Sequence, residues 1–145
     1  MTEKEYAELT EQMSPRSRLG PDCLWAFLVG GLICTLGQVF TDLWIRSGLT
    51  KADGALAGSI SLVALSALLT GLSLYDDIAA YAGAGTLVPI TGFANAISSA
   101  AVEFKTEGFI TGVGAKMFTI AGPVIVYGTA ASVVYGFVYW LSTIL

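Results

Sequence analysis

Lys116 is the only formally charged side chain between Gly108 and the last residue. A lone ammonium in a long apolar run either snorkels to an interface or faces an anion, and a cation at membrane depth is a functional candidate by default. A second chemical feature lies earlier, in YAGAGTLVPITGFANA (residues 81–96), which carries no charge but four helix breakers, Gly83, Gly85, Pro89 and Gly92. Such residues free backbone N–H and C=O groups. The helix that follows points its positive N-terminal end back at the break, an arrangement that suits carboxylates and other small anions. Thr91 and Asn95 lie within its first turns, with Ser98 and Ser99 a turn further on. Together with Lys116 these residues form the expected lining of a path for a polar, anionic solute.

Other chemistries find few residues to work with. The chain has no histidine and only two cysteines, Cys23 and Cys34, in or beside the first apolar run. The usual zinc and haem ligand sets are absent, as is the commonest general base. No metal site, cofactor or catalytic residue is expected, and an enzyme is not the reading. A net charge of −4 offers no basic stripe for nucleic acid.

The elements that must position these groups are helices in a bilayer. Charged residues are 12% of the chain, against roughly 25% in an ordinary soluble domain. Runs of 18 or more uncharged residues, the usual sign of a spanning helix, recur along it. The expected architecture is an all-α integral membrane protein with three to four transmembrane helices and a Gly/Pro-broken, re-entrant or discontinuous helix pair in the middle. Residues 1–21 read as a polar N-terminal tail able to form an amphipathic turn or two, limited by Pro15, and residues 22–145 as one transmembrane domain. Lys4, Arg16 and Arg18 favour a cytoplasmic N-terminus.

The first span is expected over residues 22–45, with Gly30, Cys34 and Gly37 giving it a small face for close helix packing. The second is expected over residues 55–74. On it Ser66, Thr70, Ser73 and Asp77 repeat at four, three and four, a polar face that must turn to protein or water. A helix follows the break and ends at Gly108. The last third is expected to divide at Gly122–Pro123, after which Gly128, Ser132 and Gly136 form a packing ridge. Irregular backbone at membrane depth survives only inside protein or along a watery cavity, and a Gly/Pro-interrupted segment is a pointer to a solute path. One protomer this small encloses no wide pore, so assembly into an oligomer is expected.

The motifs AFLVGGLIC, the Gly37–Gln38 pair, SALLTG, YDDI, AGAG, VPITGFANAISSAAVEFKTEG and MFTIAGPVIVYG together resemble the SpoVAC/SpoVAEb family of sporulation membrane proteins, and more closely its SpoVAC branch. The resemblance covers about residues 25–136. It implies a channel or transporter subunit for dipicolinic acid, as the calcium chelate, taken up into the developing spore and released on germination. It further implies the spore inner membrane as location, a SpoVAEb-like membrane subunit and a SpoVAD-like soluble subunit as partners, and gating by membrane tension. The competing readings are a non-conducting membrane scaffold and a homomeric mechanosensitive channel without solute selectivity.

Overall fold

A computed structural model describes residues 18–144, together with Thr2, Tyr6, Leu9, Thr10 and Met13 of the leader. Those leader side chains are exposed; the rest of the expected amphipathic turn, Pro15 included, lies outside the described residues. Among the described residues every regular element is helical. Three helices are long and apolar enough to cross a membrane: Leu19–Arg46, Lys51–Gly71 and Phe109–Ile144.

Helix α1 (Leu19–Arg46) closes with a left-handed glycine, Gly48 at φ 107°. The Gly48 N–H returns to Ile45 O and the Leu49 N–H to Trp44 O, which satisfies carbonyls that the helix end would otherwise orphan. Helix α2 (Lys51–Gly71) opens on Thr50, whose hydroxyl oxygen accepts the Asp53 N–H at 3.2 Å. Its end repeats the closing motif with a serine in place of glycine. Ser73 sits at φ 57°, with its N–H on Thr70 O and the Leu74 N–H on Leu69 O. The second span therefore ends at Gly71, short of the expected 74. Ser66, Thr70, Ser73 and Asp77 do not lie on one helix face as the spacing predicts, because the left-handed Ser73 turns the chain. Ser66 and Thr70 are buried, whereas Ser73 and Asp77 are exposed.

Helices α1 and α2 run antiparallel because a four-residue turn containing Gly48 joins them, and small residues let them touch. A Cβ on Gly58 would stand 2.5 Å from Thr41 Oγ1, and one on Gly54 would stand 2.6 Å from Ile45 Cγ1. Beyond Gly71 come α3 (Tyr75–Ala82), the single turn α4 (Ala84–Leu87) and α5 (Ile90–Glu103). Gly83 at φ 48° separates the first two, and Pro89, extended at φ −65° and ψ 162°, precedes the third. Helix α5 ends at Glu103 and tightens into a 3₁₀ turn, Phe104–Glu107, so Gly108 (φ 98°) stops the 3₁₀ turn and not the α-helix.

The last third contradicts the expected division. A π turn, Phe109–Gly114, leads into one helix, α6 (Ala115–Ile144), that runs straight through Gly122–Pro123. Proline removes one N–H donor, whereas ending the helix would orphan four carbonyls and four N–H groups in apolar surroundings. Where water cannot compensate, the single loss is the smaller cost.

Candidate functional site

The break between α3 and α5 is held from three sides. On one side main chain rests on main chain: a Cβ on Gly85 would stand 2.8 Å from Ala26 Cα, and one on Gly30 would stand 3.3 Å from Gly85 O. No side chain fits between α1 and α4 at that point. Behind it, Gly92 lets the first turn of α5 fold against the break, since a Cβ there would stand 2.6 Å from Leu87 O.

The third side is a hydroxyl network. Tyr75, 4% exposed, sends its hydroxyl to Thr86 O at 3.0 Å and lies 3.1 Å from Thr91 Oγ1. One phenol proton serves one acceptor, so Tyr75 donates to the carbonyl and accepts from Thr91. The Ser66 hydroxyl donates to Thr91 O at 2.7 Å, which ties α2 to the start of α5. Thr70 Oγ1 lies 2.8 Å from Ser66 O and 2.7 Å from the Asn95 amide. Its one proton is shared between two acceptors, the Ser66 carbonyl and Asn95 Oδ1. Thr86 closes the turn by donating to Gly83 O at 2.9 Å. Among the described residues no buried side-chain polar atom lacks a partner. These hydroxyls are therefore committed to one another and to backbone, and no free donor among them faces a solute.

An open groove of about 370 Å³ lies beside the network, where Pro89 and Ile90 meet α1 and α2. Cys34, Gly37, Gln38 and Thr41 line it from α1, and Ala55, Gly58 and Ser59 from α2. Gln38 Nε2 donates to Asp42 Oδ1 at 2.9 Å, which leaves the Gln38 carbonyl oxygen available. An apolar cavity of about 140 Å³ sits on the other side of the network, walled by α1, α2, Tyr75 and Thr86.

The residues expected along a solute path are not gathered in one place. Gly83 is exposed and Gly85 is buried against α1. Thr91, Gly92 and Asn95 face the network, and Pro89 edges the groove. Ser98 and Ser99 are half-buried further along α5, Ser99 donating to Ala96 O at 3.2 Å. Lys116 stands apart, at the far end of α5, with its ammonium 4.3 Å from the Phe104 ring centroid. Of the packing residues, Gly30 meets Gly85 and Gly37 meets the Leu62 side chain, while Cys34 edges the groove. Nothing in the chain lies within 4 Å of a Cβ built on Gly128 or Gly136. No group of His, Cys, Asp and Glu able to hold a metal ion occurs among the described residues.

Residues 22–138 match the family described as SpoVAC/SpoVAEB sporulation membrane protein. The chain belongs to that family. It is also 40% identical over 136 residues to Stage V sporulation protein AC of Bacillus subtilis (strain 168), covering 93% of this chain and 91% of that one. No solved structure matches. The matched span includes all but the first three residues of α1, all of α2 to α5 and most of α6, so the break, its network and the groove all belong to the SpoVAC/SpoVAEB portion.

Sequence reasoning missed three contributors. Tyr75 reads as a residue that ends an uncharged run, yet it joins α3 to both ends of the break. A tyrosine immediately after a helix stop and before a Gly/Pro break is the signal that marks it. Gln38 and Ser59 line the groove but lie on different helices, and no periodicity in one helix reports a pairing between two.

Proposed function

We propose that this family member is a membrane subunit of a channel or transporter for dipicolinate in the spore inner membrane, and that solute passes along the groove at Pro89–Ile90. The reading is supported chiefly by one observation: the chain broken at Gly83 and Pro89 borders an open groove edged by Gln38, Thr41 and Ser59. Its size falls at the lower end of ordinary small-molecule pockets. Because the hydroxyl network is internally satisfied, the break acts as scaffold for the path, and Gln38, the start of α5 and Ser59 supply the polar edge. Asp42, one turn beyond Gln38, disfavours a free dianion and favours the charge-neutral calcium chelate. Partner subunits of the SpoVAEb and SpoVAD kinds complete the enclosure in this proposal, and Lys116 serves an entrance at the far end of α5.

A second reading is favoured by the same network. A break whose buried side-chain polar atoms all find partners within the chain is what a non-conducting scaffold would contain. Dipicolinate accumulation in spores separates the two, measured alongside thiol labelling of the assembled complex. Single cysteines at Gln38 and Ser59 are expected to react with a small aqueous reagent, while one at the exposed apolar Ile60 stays inert. Equal inertness of all three, with normal dipicolinate content in groove variants such as Gln38→Leu, would leave the scaffold reading standing.

A further inference from the structure

Helix α6 holds 30 residues, about 45 Å of helix, and Lys116 beside its start is its only charge. A bilayer's hydrocarbon core is about 30 Å thick, and an overlong span is accommodated by tilting or by kinking. Kinks form at proline, and Pro123 stands inside this helix. Its ring gives Thr119 O no N–H and crowds that carbonyl. Thr119 loosens the same turn, since its hydroxyl donates to Ala115 O at 2.8 Å. Gly122 offers no resistance: nothing lies within 4 Å of a Cβ built there.

The surroundings fix which way the helix can bend. Ser66 donates to Thr91 O, and Thr70 to Asn95 Oδ1 four residues on in both helices, so α5 runs parallel to α2. Ile97 shares a cavity with Met117 and Phe118, whereas Phe93 shares one with Ile120 and Val124, so α6 runs antiparallel to α5 and toward the α1–α2 turn. The second cavity, about 600 Å³ and open, has Ile120, Val124 and Ile125 as one wall and residues 87–90 of the break as the other. Val88 there is 85% exposed and Val124 54%, so the walls do not meet. A proline ring opens the helix on its own side and tips the far half away from it. At about 100° per residue the cavity wall of α6 is centred about 120° round from Pro123, so the distal half tips toward the break.

From Pro123 to Ile144 every residue is exposed, so no packed neighbour in the chain holds the distal half in place. We infer that α6 has a second position, bent at Gly122–Pro123 without ending, in which its distal half closes as a strap over the cavity and covers Val88 and Ile90. Pro89 and Ile90 edge both this cavity and the groove. Closure therefore narrows the approach to the groove at that edge. That consequence rests on the proposed path; the bend itself does not.

Distances between nitroxide labels provide the test, on the full chain in a Cys23→Ser, Cys34→Ser background reconstituted in dioleoylphosphatidylcholine vesicles. One label sits at Ser47→Cys in the α1–α2 turn, the other at Tyr139→Cys on the strap or at Phe118→Cys before the hinge. Arg46→Cys replaces Ser47→Cys if that variant fails to insert. A kink of about 25° on a lever of about 24 Å moves Tyr139 by about 10 Å. The expected result is a Ser47–Tyr139 component about 10 Å shorter than the single distance in Pro123→Ala, with the Ser47–Phe118 distance equal in both. Identical Ser47–Tyr139 distances in parent and Pro123→Ala would overturn the inference. So would a longer distance in the parent, which means bending away from the break, or a joint shift of both pairs, which means rigid tilting. A short component that vanishes on dilution with unlabelled chain belongs to a neighbouring copy and overturns it too. Loss of the short component in Pro123→Ala with unchanged dipicolinate flux would retire the path and keep the strap; unchanged distances with altered flux would do the reverse.

Discussion

The Tyr75 hydroxyl donates to the Thr86 carbonyl 3.0 Å away, and so fastens the start of α3 to the turn that breaks the helix eleven residues later. Removing it by Tyr75→Phe keeps the ring and leaves a buried carbonyl without a donor. An unsatisfied buried group costs about 1–3 kcal/mol. The variant is expected to lose that much stability, read as a lowered unfolding midpoint of the purified protein in detergent. A midpoint equal to the parent's would show that the network does not hold the break.

Three glycine-to-alanine changes should separate three roles. Gly85→Ala forces a methyl into the Ala26 main chain, and overpacking costs about 1–3 kcal/mol or more. Gly83→Ala meets no neighbour but must hold φ 48° and ψ −118°, a strain of about 1–3 kcal/mol. Gly31→Ala, with open space around it inside α1, is expected to stabilise by about 1 kcal/mol. Stabilisation by Gly85→Ala would contradict the backbone contact.

The α1–α2 crossing makes a graded prediction. A Cβ on Gly58 meets Thr41 Oγ1 at 2.5 Å, with Thr41 backbone N behind it at 3.2 Å; one on Gly37 meets only the tip of Leu62 at 3.0 Å. A leucine tip can turn aside, whereas backbone cannot. Gly58→Ala should therefore reduce the yield of folded protein on size-exclusion chromatography well below that of Gly37→Ala. The reverse order would require a different helix register.

Lys116 supports a prediction about flux. Its ammonium rests on the Phe104 ring, a contact worth about 0.5–1 kcal/mol at a partly exposed site. Lys116→Met preserves the stem and should leave assembly intact while lowering dipicolinate uptake; Lys116→Arg should retain part of it. Unchanged uptake in the methionine variant would assign Lys116 to Phe104 alone.

How much was legible in the sequence depends on whether a feature is local. Uncharged runs mark α1, α2 and the last span because bilayer length sets a minimum that any reader can count. Gly83 and Pro89 mark the break because their backbone limits are intrinsic. Ser66 and Thr70 sit on the expected polar face, but that face could not be followed past Gly71, since a serine took the left-handed position that glycine usually holds. Pro123 misled for a related reason: its cost depends on what surrounds the helix. Gly85 was legible as a breaker and illegible as a spacer, because its tightest neighbour, Ala26, is remote in sequence.

The meeting of Gly85 with Ala26 and Gly30 also bears on stiffness. Rotamer changes let most helix contacts yield, on picosecond to nanosecond times for exposed chains. Here no side chain intervenes to yield. Sideways displacement of α1, which like α6 has no buried residue, meets α4 with little side-chain compliance between them. The crossing has the build of a strut, main chain on main chain, between α1 and the turn that precedes Pro89.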